Sequence, residues 1–197
     1  MNYIIYDLEF NQRYPKEMEP ISNNINTYPF EIIQIGAIKL NESLEIIDTF
    51  NSLIKPTMYP IIHPFIEELT NITNSKVSSC KLFKEVYNDF LNFIGTDDNV
   101  FCVWGTTDLK ELFKTLEFYD IPYNLGPEKY IDIQSYASRY FNIPSGSKIG
   151  LKNATALLNI ENPLEFHDAF NDAYYTAKIF MKIYNNDIRP AYYTYKK

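Results

Sequence analysis

Two acids separated by one residue close the first apolar run of the chain, MNYIIYDLEF, and they are the earliest residues whose types and spacing suit chemistry. Side chains of an extended strand alternate between faces, so Tyr3, Ile5, Asp7 and Glu9 share one side while Ile4, Tyr6, Leu8 and Phe10 share the other. Carboxylates placed side by side in this way resist joint ionisation unless a positive charge lies between them. A divalent cation meets that need. Hard oxygen ligands suit Mg²⁺ or Mn²⁺, and Mg²⁺ commonly takes one or two carboxylates and leaves the rest of its shell to water and substrate phosphate. Taken alone, D-x-E is short and common, and an edge strand with solvated acids also accounts for it.

Two later stretches carry residues of the same kind. Val100 to Trp104 (VFCVW) is a continuous apolar run suited to a strand buried on both faces. Gly105-Thr106-Thr107 then turns the chain, and Asp108 opens a helix with Leu109, Leu112, Phe113 and Leu116 on its inner face. The helix dipole favours an acid in a first turn, so Asp108 by itself reads either as a ligand or as a good helix start. The last long helix, from about Asp168 to Tyr184, begins in the stretch His167-Asp168-Ala169-Phe170-Asn171-Asp172-Ala173. Ala169, Ala173 and Thr176 lie on or beside the face of Asp172, and such small residues let this backbone approach another element closely.

The elements that must position these residues follow from the remaining pattern. Asn11 to Pro29 contains Pro15, Pro20 and Pro29 and reads as a loop near the first acids. Glu31 to Leu40 and Leu44 to Ile54 are β-branched runs joined by Asn41-Glu42-Ser43, a hairpin that makes a three-stranded meander with the first strand. Ile61 to Thr73 predicts a short helix and a tight turn, with Asn71 suited to a left-handed backbone. Ser78 or Ser79 is the expected cap of a longer structural helix that ends at Gly95, with Leu82, Phe83, Val86, Tyr87, Phe90, Leu91 and Ile94 at helical spacing. Tyr130 to Ile133 reads as a short strand, Gln134 to Phe141 and Leu151 to Leu158 as helices, and Ser145-Gly146-Ser147 as a loop. The tail from Asn185 to Lys197 has Pro190, three tyrosines and no catalytic pattern. No motif claims His63, which reads as structural, with weak metal binding as its other reading.

Composition bounds what these residues can serve. With 197 residues, 46% of them apolar, the chain suits one domain with a sizeable core. It lacks a basic n-region with a cleavage site and any apolar stretch long enough for a bilayer, so a cytoplasmic protein is expected, with no membrane partner. Cys80 and Cys102 form no C-x-x-C pattern and are expected as reduced, buried thiols. A net charge of −7 argues against broad, sequence-blind binding to a nucleic-acid backbone. It leaves open a phosphate substrate, because a cluster of acids attracts phosphate once cations fill it. Aromatic residues make up 16% of the chain; some can stack on bases, though most are expected in the core.

Taken together, Asp7-x-Glu9 on a first strand, Asp108 after a buried strand, and His167-x-x-x-x-Asp172 opening a late helix resemble the DEDDh family of 3′-to-5′ exonucleases. The five positions run in the family's order over nearly the whole domain. EIIQIGAI, WGTTDLK and the LTNIT turn, where relatives often have L-T-G-I-T, point to the branch of small-RNA and histone-message trimming exonucleases and bacterial KapD-like proteins. Asn71 in place of the usual glycine departs from that pattern; it keeps the turn but alters how closely a sugar approaches the backbone.

The resemblance implies an α/β fold of the ribonuclease H-like kind: a mixed sheet of about five strands, the first three antiparallel, flanked by helices. Residues 1–185 would form the exonuclease domain and 186–197 a C-terminal tail. It also implies two Mg²⁺ ions roughly 3.5 to 4 Å apart, with Mn²⁺ able to substitute. Asp7 would bridge both ions, Glu9 and Asp172 would complete the site of the attacking water, and Asp108 would support the second ion. His167 would be the general base, since an imidazole accepts a proton near neutral pH. The backbone around Leu8 to Phe10 and the turn from Leu69 to Ile72 would surround the terminal nucleotide, with Phe10 or Trp104 near its base or sugar. The expected substrate is a single-stranded 3′ end, RNA before DNA, cut to nucleoside 5′-monophosphates without a nucleotide cofactor. A non-catalytic nucleic-acid-binding module and an acidic metal-binding interaction protein are the competing readings.

Overall fold

The computed structural model describes residues 1–13, 28–123, 126–161 and 163–195. Most of the expected loop from Asn11 to Pro29 therefore lies outside the described residues. Six strands form one sheet: β1 (Asn2–Gln12), β2 (Phe30–Leu40), β3 (Ile46–Leu53), β4 (Asn99–Val103), β5 (Lys129–Asp132) and β6 (Ala191–Tyr192), in the order β3-β2-β1-β4-β5-β6. β1, β2 and β3 pair antiparallel as the meander expected of them, while β1, β4 and β5 run parallel and β6 returns antiparallel. The sixth strand comes from the tail, whose Tyr193 and Tyr195 rings stack against Phe113. Seven helices are described: α1 (Pro64–Thr70), α2 (Asn74–Val77), α3 (Phe83–Ile94), α4 (Thr107–Phe118), α5 (Ile133–Tyr140), α6 (Leu151–Leu157) and α7 (Ala169–Ile183). Among the described residues, no helix is long and apolar enough to cross a membrane.

Strand alternation in β1 sorts the core into two layers. Tyr3 and Ile5 pack with Ile38, Val100 and the inner faces of α5 and α7, whereas Ile4, Tyr6 and Leu8 pack with Val86, Phe90, Leu112 and Phe113 of α3 and α4. β2 breaks this simple period. Its register against β1 slips between Glu9 and Phe10, leaving Ile33 as the extra residue of a bulge. Ile32 and Ile35 consequently share the α3/α4 face, and Ile33 enters a small third cluster with Ile62, Ile66, Ile72 and Val77. After the bulge, Gln34 and Gly36 face α7.

The turn after α1 forms as the sequence predicts, with Asn71 left-handed at φ 56°. His63 is structural: it caps α1, its Nδ1 accepting from the Phe65 N–H at 3.1 Å. The expected cap at Ser78 or Ser79 is overturned. Thr73 caps the single turn of α2, Ser78 ends it, and α3 starts only at Phe83, where the Glu85 carboxylate accepts from the Leu82 N–H at 2.9 Å. Cys102 is buried as expected, but Cys80 is only half-buried; both are free thiols.

Candidate active site

β1 delivers Asp7 and Glu9 to the face covered by α7, and the partner of Asp7 across the ladder is Gly36. A Cβ at Gly36 would lie 2.2 Å from Ala169 C and Phe170 N, so the start of α7 rests directly on the β2 backbone. Gln34 pins the same turn. Its Nε2 donates to Asp168 Oδ2 at 2.9 Å and to Asn51 Oδ1 at 3.0 Å, and its Oε1 accepts from the Ala169 N–H at 3.2 Å. Asp168 in turn caps α7 by accepting from the Asn171 N–H. With its first turn fixed twice over, α7 carries Asp172 to the two acids of β1. Asp7, Glu9 and Asp172 each offer one carboxylate oxygen, and the three oxygens lie within 4.8 Å of one another.

Asp108 stands close by in the first turn of α4, after Gly105 turns the chain at φ 86°. It is outside that group of three, yet of the neighbouring charges it contributes most to holding the proton on Asp7. Burial, then Asp108, Asp172 and Glu9, push the Asp7 carboxyl well above the usual carboxylate range. Burial followed by Asp172 and Asp108 raises Glu9 to about 8. Burial likewise raises Asp108 to about 7, and Asp172 to about 6 despite the His167 N–H that donates to its Oδ2 at 3.2 Å. Asp172 Oδ1 is buried with no hydrogen-bond partner among the described residues. Hard, crowded, partly unpartnered oxygens of this kind fit a divalent cation: the ion supplies the opposite charge that the protein omits.

His167 precedes the α7 cap on an exposed stretch and has φ 66°. A left-handed histidine costs on the order of 1–3 kcal/mol, so its neighbours must hold it there. Its backbone N–H is tied to Asp172, which sets the imidazole-bearing residue beside the acids.

The remaining expected residues divide by exposure. Leu8 and Ile72 are each 3% exposed with side chains in core clusters, so only their backbone can meet a ligand. Phe10 is half-buried against the Phe30 ring, and Trp104 packs on the edge of the core beneath α5 and α7. Leu69 is exposed on α1, one turn after Phe65, which is 56% exposed and was not singled out in the sequence. The approach to α1 is fastened beside the site end of β1. Asn11 donates to the carbonyls of Tyr59 and Ile61 at 2.8 and 3.0 Å and accepts from the His63 N–H at 2.9 Å. Gln34 and Gly36, within EIIQIGAI, Asp168 at the start of the last helix, and Asn11 are all visible in the sequence, but the pattern alone gives none of them a positioning role. The available signal was a glutamine and a glycine inside an otherwise apolar strand.

Comparison with known proteins gives this geometry relatives. The exonuclease family model RNase_T matches residues 4–180. A DNA polymerase III of the PolC type from Caldanaerobacter subterraneus is 29% identical over 168 residues, which cover 82% of this chain and 11% of the polymerase. The chain thus spans about a tenth of that relative's length. The probable 3′-5′ exonuclease KapD of Bacillus subtilis is 24% identical over 155 residues, covering 79% of this chain and 73% of KapD. Among solved structures, the nuclease domain of 3′hExo, a DEDDh family member bound to rAMP, superposes with a TM-score of 0.76 at 22% identity, over 92% of this chain and 90% of that domain.

Proposed function

The chain belongs to the exonuclease (RNase_T) family, and we propose that it is a metal-dependent 3′-to-5′ exonuclease acting on single-stranded nucleic acid, RNA in preference to DNA. The observation that carries this reading is the meeting of Asp7, Glu9 and Asp172 within 4.8 Å, beside a histidine tied to one of them. Two divalent ions, Mg²⁺ or Mn²⁺ in its place, would there neutralise charge on the scissile phosphate and make a bound water acidic.

The residues of the chain divide the remaining work. Asp7, whose carboxyl feels the charges of Asp108, Asp172 and Glu9, would be the ligand shared by both ions. Glu9 and Asp172 would hold the ion next to His167, and Asp108 would hold the second. His167 would take one proton of the attacking water as that oxygen bonds to phosphorus and the P–O3′ bond breaks; a solvent water protonates the 3′ oxygen left on the shortened strand, and the terminal nucleoside departs with the phosphate on its 5′ oxygen. General bases of this sort contribute about 10²–10⁴ in rate. The backbone at Leu8 to Phe10 and the turn from Leu69 to Ile72 would surround the terminal nucleotide, with Phe10 or Trp104 near its base or sugar. The exposed Phe65 ring joins Leu69 as a stacking surface on α1. The rAMP bound by 3′hExo favours RNA, and the PolC-type relative makes DNA the alternative to test.

A 5′-labelled single-stranded RNA incubated with the protein and Mg²⁺ tests the reading. Stepwise shortening from the 3′ end, absent in chelator and slowed about 10²–10⁴-fold in His167→Ala, is the expected outcome, with a matched DNA degraded more slowly. An intact label that the protein still retards in a gel would refute turnover and favour a binding module. No retardation at all favours a metal-binding interaction protein.

A further inference from the structure

We infer that Tyr175 is a positioning residue for His167, holding the segment that carries the imidazole through its hydroxyl and its ring, with Asn171 as a second tether. The inference rests on the reading of His167 as the general base. Three consecutive residues before His167 are each fastened to the same face of α7. The Tyr175 hydroxyl donates to the Leu164 carbonyl at 2.8 Å and accepts from the Leu164 N–H at 2.9 Å, so one side chain satisfies both backbone groups of that residue. Asn171 Nδ2 donates to the Glu165 carbonyl at 2.9 Å. Phe166 stacks on the Tyr175 ring with centroids 4.9 Å apart and planes 29° from parallel.

These contacts explain how an exposed histidine keeps a left-handed backbone. Leu164 and Glu165 lie on the surface, and water would satisfy their backbone groups as well as Tyr175 and Asn171 do. What water does not supply is a fixed position. Tyr175 itself is fully buried on α7, one turn from Asp172, so the helix that delivers a carboxylate to the site also delivers the anchor for the base. Among the hydrogen bonds described, neither Tyr175 nor the Asn171 amide touches Asp7, Glu9, Asp108 or Asp172; the tether reaches the site through the His167 segment, whose N–H donates to Asp172 Oδ2.

The test uses the full chain with single-stranded RNA and Mg²⁺. Tyr175→Phe keeps the ring stack and removes both hydroxyl bonds; it should lower kcat roughly 10- to 100-fold while KM stays within about twofold, the size expected for a reacting group misplaced by about an ångström. The Mg²⁺ concentration that raises the melting temperature should shift by less than about twofold, because Asp172 is placed by the seating of the α7 start on β2 and not by the tether. In a double-mutant cycle measured with enzyme in excess, His167→Ala/Tyr175→Phe should be no slower than His167→Ala, because a tether has nothing to position once the imidazole is gone. Wild-type kcat in Tyr175→Phe, or a further loss of the same size in the double variant, would overturn the inference and leave the base assignment standing. Full activity in His167→Ala would instead overturn that assignment and the inference with it. Should Tyr175→Phe not fold, Asn171→Ala removes the second tether, with the same drop in kcat and the same non-additivity expected.

Discussion

Gly36→Ala isolates the contact that assembles the three carboxylates. The added methyl would begin 2.2 Å from Ala169 C and Phe170 N, both backbone atoms of the α7 start, which cannot rotate aside as a side chain would. Carbon contacts settle near 3.5–4.0 Å, so the first turn of α7 must rise from β2 by roughly 1.3–1.8 Å. Asp172 is three residues along that helix and rises with it, and its oxygen leaves the group now held within 4.8 Å. Overpacking of this kind costs about 1–3 kcal/mol, which for a chain of this length lowers Tm by roughly 2–12 °C. Activity should fall further than stability does, by about 100-fold or more, since an ångström is a large error for a catalytic group. Rates on a labelled RNA, Mg²⁺ titration and thermal melts of the same preparation separate the two effects. Gly150→Ala is the control, because nothing lies within 4 Å of a Cβ there. Gly36→Ala with wild-type rate and Mg²⁺ midpoint would refute the placement of α7 as the step that completes the site.

Three further outcomes follow from the same geometry. Without metal, the folded protein binds protons on Glu9, Asp108 and Asp172, raised to about 8, 7 and 6, that the unfolded chain has already released. Stability in chelator should therefore fall as pH rises from about 5 to about 8, and Mg²⁺ should raise Tm more at the upper end; melts in chelator that improve with pH would contradict this. Asp172→Asn removes one of the repelling charges, so near pH 8 the metal-free variant should be more stable by about 1–3 kcal/mol, lose its Mg²⁺-dependent rise in Tm, and have no measurable exonuclease activity. Phe65→Ala, at a side chain 56% exposed, should change stability by less than about 0.5 kcal/mol. Loss of base stacking there should nevertheless raise KM about 5- to 100-fold with kcat little changed, and an unchanged KM would remove Phe65 from the nucleotide wall.

The parts of this structure that were legible in the sequence are those governed by one strong local rule. Period-two alternation in β1 put Asp7 and Glu9 together on the α7 face, and the continuous apolar run of β4 marked a strand buried on both sides. Asn71 was legible as a left-handed turn because its side chain tolerates that backbone. Competing local preferences misled. The serines at 78 and 79 are good caps, yet Thr73 had already started and Ser78 ended a turn just before, leaving Leu82 to precede α3. β6 is two residues long, too short for any periodicity to announce it. The bulge at Ile33 lies in a pair of isoleucines between Glu31 and Gln34, which a regular strand would place on opposite faces, so the pattern does not reveal that Ile32 and Ile35 share one.

That bulge bears on the site, because it fixes which residues of β2 look towards α7. With Ile33 diverted to a separate cluster, Gln34 and Gly36 fall on the face where the α7 start must dock. One supplies hydrogen bonds and the other supplies room, and a helix seated by both has little freedom to move its Asp172 away from the acids of β1. The seating is needed because nothing among the acids themselves favours their meeting. Burial raises the proton affinity of all four, repulsion from the other acids adds to it at Asp7, Glu9 and Asp108, and an oxygen of Asp172 is left without a partner among the described residues. Local rules fail most often where function requires an unfavourable cluster, and the stabilising contacts then lie just outside it. In this chain they are a glycine, a glutamine and a tyrosine on the two elements that meet beneath the site, none of which would touch the phosphate.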